Sequence, residues 1–75
     1  MAIIKEVKIK ENYITLGQFI KVVDLISSGG EAKSFLLNTV VKVNDEVDSR
    51  RGRKLYKGDL INIEGNEYKI CWLGN

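Results

Sequence analysis

The chain has no histidine, no proline and a single cysteine, Cys71, among its 75 residues. One thiol cannot close an internal disulfide, and the lack of histidine excludes histidine-ligated zinc and histidine-dependent nucleophilic catalysis. Long apolar runs are missing too. None exceeds four residues, and the opening Met1-Ala2-Ile3-Ile4-Lys5 has no stretch of the signal-peptide kind. The expectation is a soluble, cytoplasmic protein that uses no cofactor and no metal and is not an enzyme. Cys71, beside Trp72 in an apolar run, reads as a buried thiol rather than a reactive one.

What is present fits one small globular domain spanning residues 1–75. The composition is 44% hydrophobic and 29% charged, with seven glycines, which is neither disordered nor low-complexity. A core this small leaves only about 3–5 kcal/mol of net stability, so a few large residues carry it. Phe19, Phe35, Leu36, Leu55, Ile61 and Trp72 are the candidates.

The net charge of +2 is too small to name a partner, but its placement is uneven. Arg50-Arg51-Gly52-Arg53-Lys54-Leu55-Tyr56-Lys57 holds five basic residues and no acidic one, leaving seven basic against ten acidic residues elsewhere. Three of the five are arginines, whose planar forks grip phosphate and stack on bases. That favours a nucleic acid. The alternative is a solvated loop whose charges pair with Asp45, Glu46 and Asp48.

Hydrophobic spacing gives the organisation. Ile3 to Ile9 alternates as a half-buried edge strand. A helix is expected over Leu16 to Ile26, with Thr15 as N-cap, Gln18 completing a capping box, and Leu16, Phe19, Ile20, Val23 and Ile26 on one face. After Ser27-Ser28-Gly29-Gly30 a second helix is expected, with Ser28 as N-cap, Glu31 as its capping-box partner, Ala32, Phe35 and Leu36 as the apolar positions, and an end near Asn38. So short a connection requires the helices to pack as a hairpin.

Strands then follow at Val40 to Val43 and Glu46-Val47 around a turn at Asn44-Asp45, and after Lys57-Gly58-Asp59 at Leu60 to Glu64. Gly65-Asn66 turns the chain into a last strand, Tyr68 to Leu73. The order predicts an α+β fold, a two-helix hairpin on a small, mainly antiparallel sheet.

Ile14-Thr15-Leu16-Gly17-Gln18-Phe19-Ile20-Lys21, Ser28-Gly29-Gly30-Glu31-Ala32-Lys33, Val41-Lys42-Val43-Asn44-Asp45-Glu46-Val47, Arg50-Arg51-Gly52-Arg53-Lys54-Leu55 and Lys57-Gly58-Asp59 resemble, in order and spacing, the RNA-binding domain named after ribosomal small-subunit protein four. The resemblance runs from about residue 13 to residue 64. It is greatest to the small free-standing bacterial members of the YaaA and YbcJ kind, with the terminal strands as additions to the shared core.

The resemblance implies a two-helix and β-loop unit, the αL motif, that presents a basic face to structured, ribosomal or transfer RNA without catalysis. A monomer acting alone or on a ribosomal precursor particle fits it. Many members carry an arginine after the serine that opens the second helix, where this chain has Gly29. Glycines at a helix start let a phosphate approach backbone N–H groups, although Ser28-Gly29-Gly30 also reads as a plain capping turn.

The main phosphate contacts are therefore expected at Arg50, Arg51, Arg53 and Lys54, with Lys57 in the same segment and Ser28, Gly29 and Gly30 as a second anion site. Lys33, Lys21 and Lys42 are outward-facing secondary candidates. Tyr56 reads equally as a base-stacking residue or as packing beside Leu55.

Three other readings compete, two of them enzymatic. Gly29-Gly30-Glu31-Ala32-Lys33-Ser34 ends like a P-loop, but glycines are absent at Ser27 and Ala32 and a helix stands where a strand is required. Asp45, Glu46 and Asp48 lie around a hairpin turn with nothing apolar to raise a carboxyl pKa. A small β-grasp carrier or protein-interaction module is the other class, against which stands the ending Leu73-Gly74-Asn75 in place of a free Gly-Gly.

Overall fold

The computed structural model describes residues 4–72. The elements run β1 (Ile4–Ile9), β2 (Tyr13–Thr15), α1 (Leu16–Val22), a 3-10 turn (Gly29–Glu31), α2 (Ala32–Asn38), β3 (Val41–Val43), β4 (Glu46–Val47), β5 (Lys54–Tyr56), β6 (Leu60–Ile63) and β7 (Asn66–Trp72). A five-stranded sheet has the order β1-β7-β6-β3-β4, and β2 and β5 form a separate pair. Every pairing is antiparallel except β1 with β7. The α+β expectation holds, with the first strand at an edge.

Turn chemistry fixes the meander. Asn44 and Asp45 both take positive φ (52° and 71°), the conformation a two-residue hairpin needs and one that Asn and Asp tolerate. The Asn44 side chain also accepts from the Leu60 amide at 3.0 Å and donates to Asp59 at 3.1 Å, tying this turn to the start of β6. Gly65, at φ 88°, closes the β6–β7 hairpin.

Alternation along β3, β6 and β7 sends Val41, Val43, Ile61, Ile63, Tyr68 and Ile70 into the core, where Leu16, Phe19 and Ile20 of α1 and Leu36 of α2 join them. Phe19 meets Tyr68 edge to face at 5.3 Å between ring centroids.

Several expectations are corrected. The first helix stops at Val22, four residues short of Ile26. Asp24 adopts φ 64°, its amide donates to the Lys21 carbonyl, and the Leu25 amide reaches the Ile20 carbonyl at 2.9 Å. This is a Schellman stop built on an aspartate instead of the usual glycine, and it turns Ile26 back into the core.

The second helix begins at Ala32, after the 3-10 turn, and Ser28 makes no side-chain cap. Glu31 instead accepts from the amide and hydroxyl of Ser27. Trp72 is half exposed rather than core, since it stands opposite Ile9 where the β1–β7 ladder runs out. Cys71, on the opposite face of the strand from Ile70, is only partly buried, and so is Phe35. The expected places of Ile3 and Leu73 in the terminal strands lie outside the described residues, as does the ending Gly74-Asn75.

Candidate nucleic-acid interface

Thr15 both ends β2 and caps α1. Its hydroxyl accepts from the Gln18 amide at 3.3 Å while the Gln18 side chain accepts from the Thr15 amide at 3.0 Å, completing the expected capping box. The next two helical amides are satisfied from an unexpected direction. Leu16 donates to the Arg53 carbonyl at 2.8 Å and Gly17 to the Arg51 carbonyl at 3.0 Å.

The basic segment is thus the backbone cap of the first helix, and the register of its side chains is set by that helix. Gly17 is suited to the approach. A Cβ there would touch the Arg51 carbonyl oxygen at 3.4 Å, the Arg51 Cβ at 3.5 Å and the Ala32 Cβ at 3.8 Å, so a larger side chain would wedge loop and helices apart.

A second tie comes from Asp48, the buried polar residue among those described. Its carboxylate accepts from the Arg50 amide (2.9 Å), from Nε and Nη2 of Arg50 (3.1 and 2.8 Å) and from Nη1 of Arg53 (2.9 Å). The hydrogen bond from the Arg50 side chain is the largest of the effects that hold the Asp48 carboxyl well below the usual carboxylate range. The Arg50 amide, Arg53 and the charge on Arg50 act in the same sense and together outweigh burial, which opposes them.

These are the ion pairs among the described residues. The solvated-loop alternative is therefore right about Asp48, and not about Asp45 or Glu46.

The expected contacts consequently separate. An open groove of about 660 Å³ is lined by Thr15, Gly17, Gln18, Lys21, Gly29, Ala32, Arg51 and Gly52. It brings together three of the expected residues, Lys21, Gly29 and Arg51. Arg50 and Arg53 are held by Asp48, Arg53 with a quarter of its side chain exposed and Arg50 with nearly three quarters.

Lys33 is exposed at the start of α2, next to groove-lining Ala32. Lys54 lies on the outer face of β5, and Lys57 in the turn after it. Ser28 and Gly30 are exposed in the turn beside Gly29. Lys42 is on the far side, its neighbours Val41 and Val43 buried and its own side chain on the solvent face of the sheet, near Asp45 and Glu67.

Sequence reasoning missed β2 and β5. Each is three residues long, too short for a periodic signal, although each buries its central residue, Ile14 or Leu55, and leaves the flanking residues partly or fully exposed.

A family model of the S4 domain matches residues 7–71. The chain belongs to the S4 domain family. It is an S4-type RNA-binding domain, and this sets the β-grasp reading aside. The match extends beyond the segment of resemblance to take in Val7 to Ile9 and β7 through Cys71, so strands expected as additions lie within the family pattern. A curated relative, the probable ribosome maturation protein RlbA of Bacillus subtilis (strain 168), is 59% identical over 59 residues, which cover 79% of this chain and 83% of that protein. Among the described residues no helix is long and apolar enough to cross a membrane, and no group of three or more potential ligands could hold a metal ion.

Proposed function

We propose that the protein is a ribosome maturation factor that docks on folded ribosomal RNA of a precursor particle. Arg51, Lys21 and the Gly29 backbone edge receive phosphates in the groove, and Lys33 and Lys54 flank it. The observation that carries this reading is the double hydrogen bond from Leu16 and Gly17 to the basic segment. It fixes the Arg51 backbone between the two helices before any ligand arrives, so less ordering has to occur on binding. The name of the relative supports a ribosomal RNA as the partner.

Arg50 and Arg53 lend charge but are partly neutralised by Asp48, and Lys42 takes no part. The protein works as a cytoplasmic monomer, and its contribution is binding, with recognition by shape and phosphate geometry more than by base edges.

An amide NMR titration with a structured ribosomal RNA hairpin, at low and then moderate salt, tests this. Shifts should cluster on residues 15–21, 28–33 and 50–54. With about four phosphates neutralised, log K should fall against log salt with a slope of about −3. A dispersed spectrum that no RNA perturbs at any salt would overturn the reading in favour of a protein partner.

A further inference from the structure

Strand alternation in the β2–β5 pair sends Ile14 and Leu55 inward and places Tyr13, Thr15, Lys54 and Tyr56 on one outer face. Tyr13 stands directly opposite Tyr56, with ring centroids 5.9 Å apart and planes tilted by 52°. Both rings are exposed, at 40% and 48%. The Lys54 ammonium lies 4.9 Å from the centre of the Tyr13 ring, within cation–π range. Thr15, paired with Lys54 in the ladder, also lines the groove, so the tyrosine face continues the groove wall.

We propose that Tyr13 and Tyr56, with Lys54 beside them, form a stacking platform for one unpaired nucleotide adjoining the helical RNA held in the groove. This inference rests on the RNA-docking reading above. Core packing does not explain the rings, because Ile14 and Leu55 already fill the inner side of this strand pair. A base offers a π-face to an exposed tyrosine whatever its identity, and the phosphate of the same nucleotide meets the adjacent ammonium. The arrangement therefore selects an unpaired residue next to a helix and not a particular base.

The test compares two RNA probes, a blunt ribosomal hairpin and the same hairpin with a short single-stranded 3′ extension carrying 2-aminopurine. The wild-type protein should bind the extended RNA about tenfold more tightly and quench the 2-aminopurine. The double variant Tyr13→Leu with Tyr56→Leu should lose that advantage, keep its affinity for the blunt hairpin and keep the salt slope, because no phosphate contact is removed. The double variant Tyr13→Phe with Tyr56→Phe should retain the advantage.

Equal affinity of the wild type for both probes, without quenching, overturns the platform and leaves the groove reading intact. Equal loss on both probes in the leucine variant also overturns it. Binding to neither probe overturns both proposals. The quenching measurement needs only wild-type protein and decides the matter even if the leucine variant does not fold.

Discussion

The Arg51 carbonyl accepts the Gly17 amide at 3.0 Å, so an arginine whose guanidinium has no carboxylate partner among the described residues also shares with Arg53 the backbone capping of the first helix. Charge and scaffold meet in one residue. Its neighbours differ, because Arg50 and Arg53 converge on Asp48 and serve the shape of the loop as well as its charge.

Charge reversal should therefore separate the arginines. Arg51→Glu should weaken RNA binding about tenfold and flatten the salt slope by about one, with no change in melting temperature. Asp48→Ala should have the converse profile. It leaves the Arg50 amide unpaired and unties both side chains, costing about 1–2 kcal/mol in urea unfolding after allowance for the exposure of Arg50. An Arg51→Glu variant that binds RNA like the wild type would remove the groove from the site.

Acid stability should report on the same carboxylate. Its pKa is depressed in the folded state, so the stability it contributes is fully present above its unfolded pKa of about 4 and is lost as pH falls below that value toward the folded one. Unfolding midpoints measured from pH 6 to pH 2 should decline more steeply for the wild type than for Asp48→Asn. Parallel curves would show that the Arg50 and Arg53 pairs add nothing to folding.

Gly29 lines the groove without needing to be glycine. Its φ is not in the left-handed region, and a Cβ there would meet nothing within 4 Å. Gly29→Arg should fold normally and bind structured RNA several-fold more tightly, with the salt slope steeper by about one. Unchanged affinity by fluorescence anisotropy would place Ser28-Gly29-Gly30 among plain capping turns.

The end of the first helix offers a stability test remote from RNA. Asp24→Gly relieves a side chain held at φ 64° and should stabilise the protein by about 0.5–1 kcal/mol, read as a higher urea midpoint, with RNA affinity unchanged.

Elements governed by local rules were legible in the sequence. The Thr15–Gln18 capping box, the Asn44-Asp45 turn, the Gly58 turn and the buried Leu16, Phe19 and Ile20 are where short-range spacing puts them. The end of α1 was not legible, because an aspartate in the left-handed conformation leaves no glycine to announce it. The Ser28 side-chain cap does not form, because a 3-10 turn intervenes, Glu31 is itself the N-cap position of the second helix, and its carboxylate accepts from Ser27 instead. For the candidate interface, the basic segment and the start of the second helix were expected from charge and resemblance, whereas Tyr13 was not singled out, and the groove positions of Gln18 and Gly17 were not foreseen from the capping box and the resemblance that named them.

By itself the sequence determined the α+β class, the basic segment and the residues eligible for the core, because periodicity, capping and turn formation act over a few residues and are written in neighbouring positions. The tertiary structure decided which cations are available. Asp48 is only two residues from Arg50 and five from Arg53, yet its selection over Asp45 and Glu46 depends on β3, since the Asp48 amide is bonded to the Val41 carbonyl at 3.0 Å while Asp45 is spent in the hairpin turn. Gly17 and Arg51, by contrast, are distant in sequence and meet because the first helix leaves amides that the basic segment satisfies. Hydrogen-bond satisfaction at a helix end is a three-dimensional requirement, and here it positions a run of like charges against the start of the first helix.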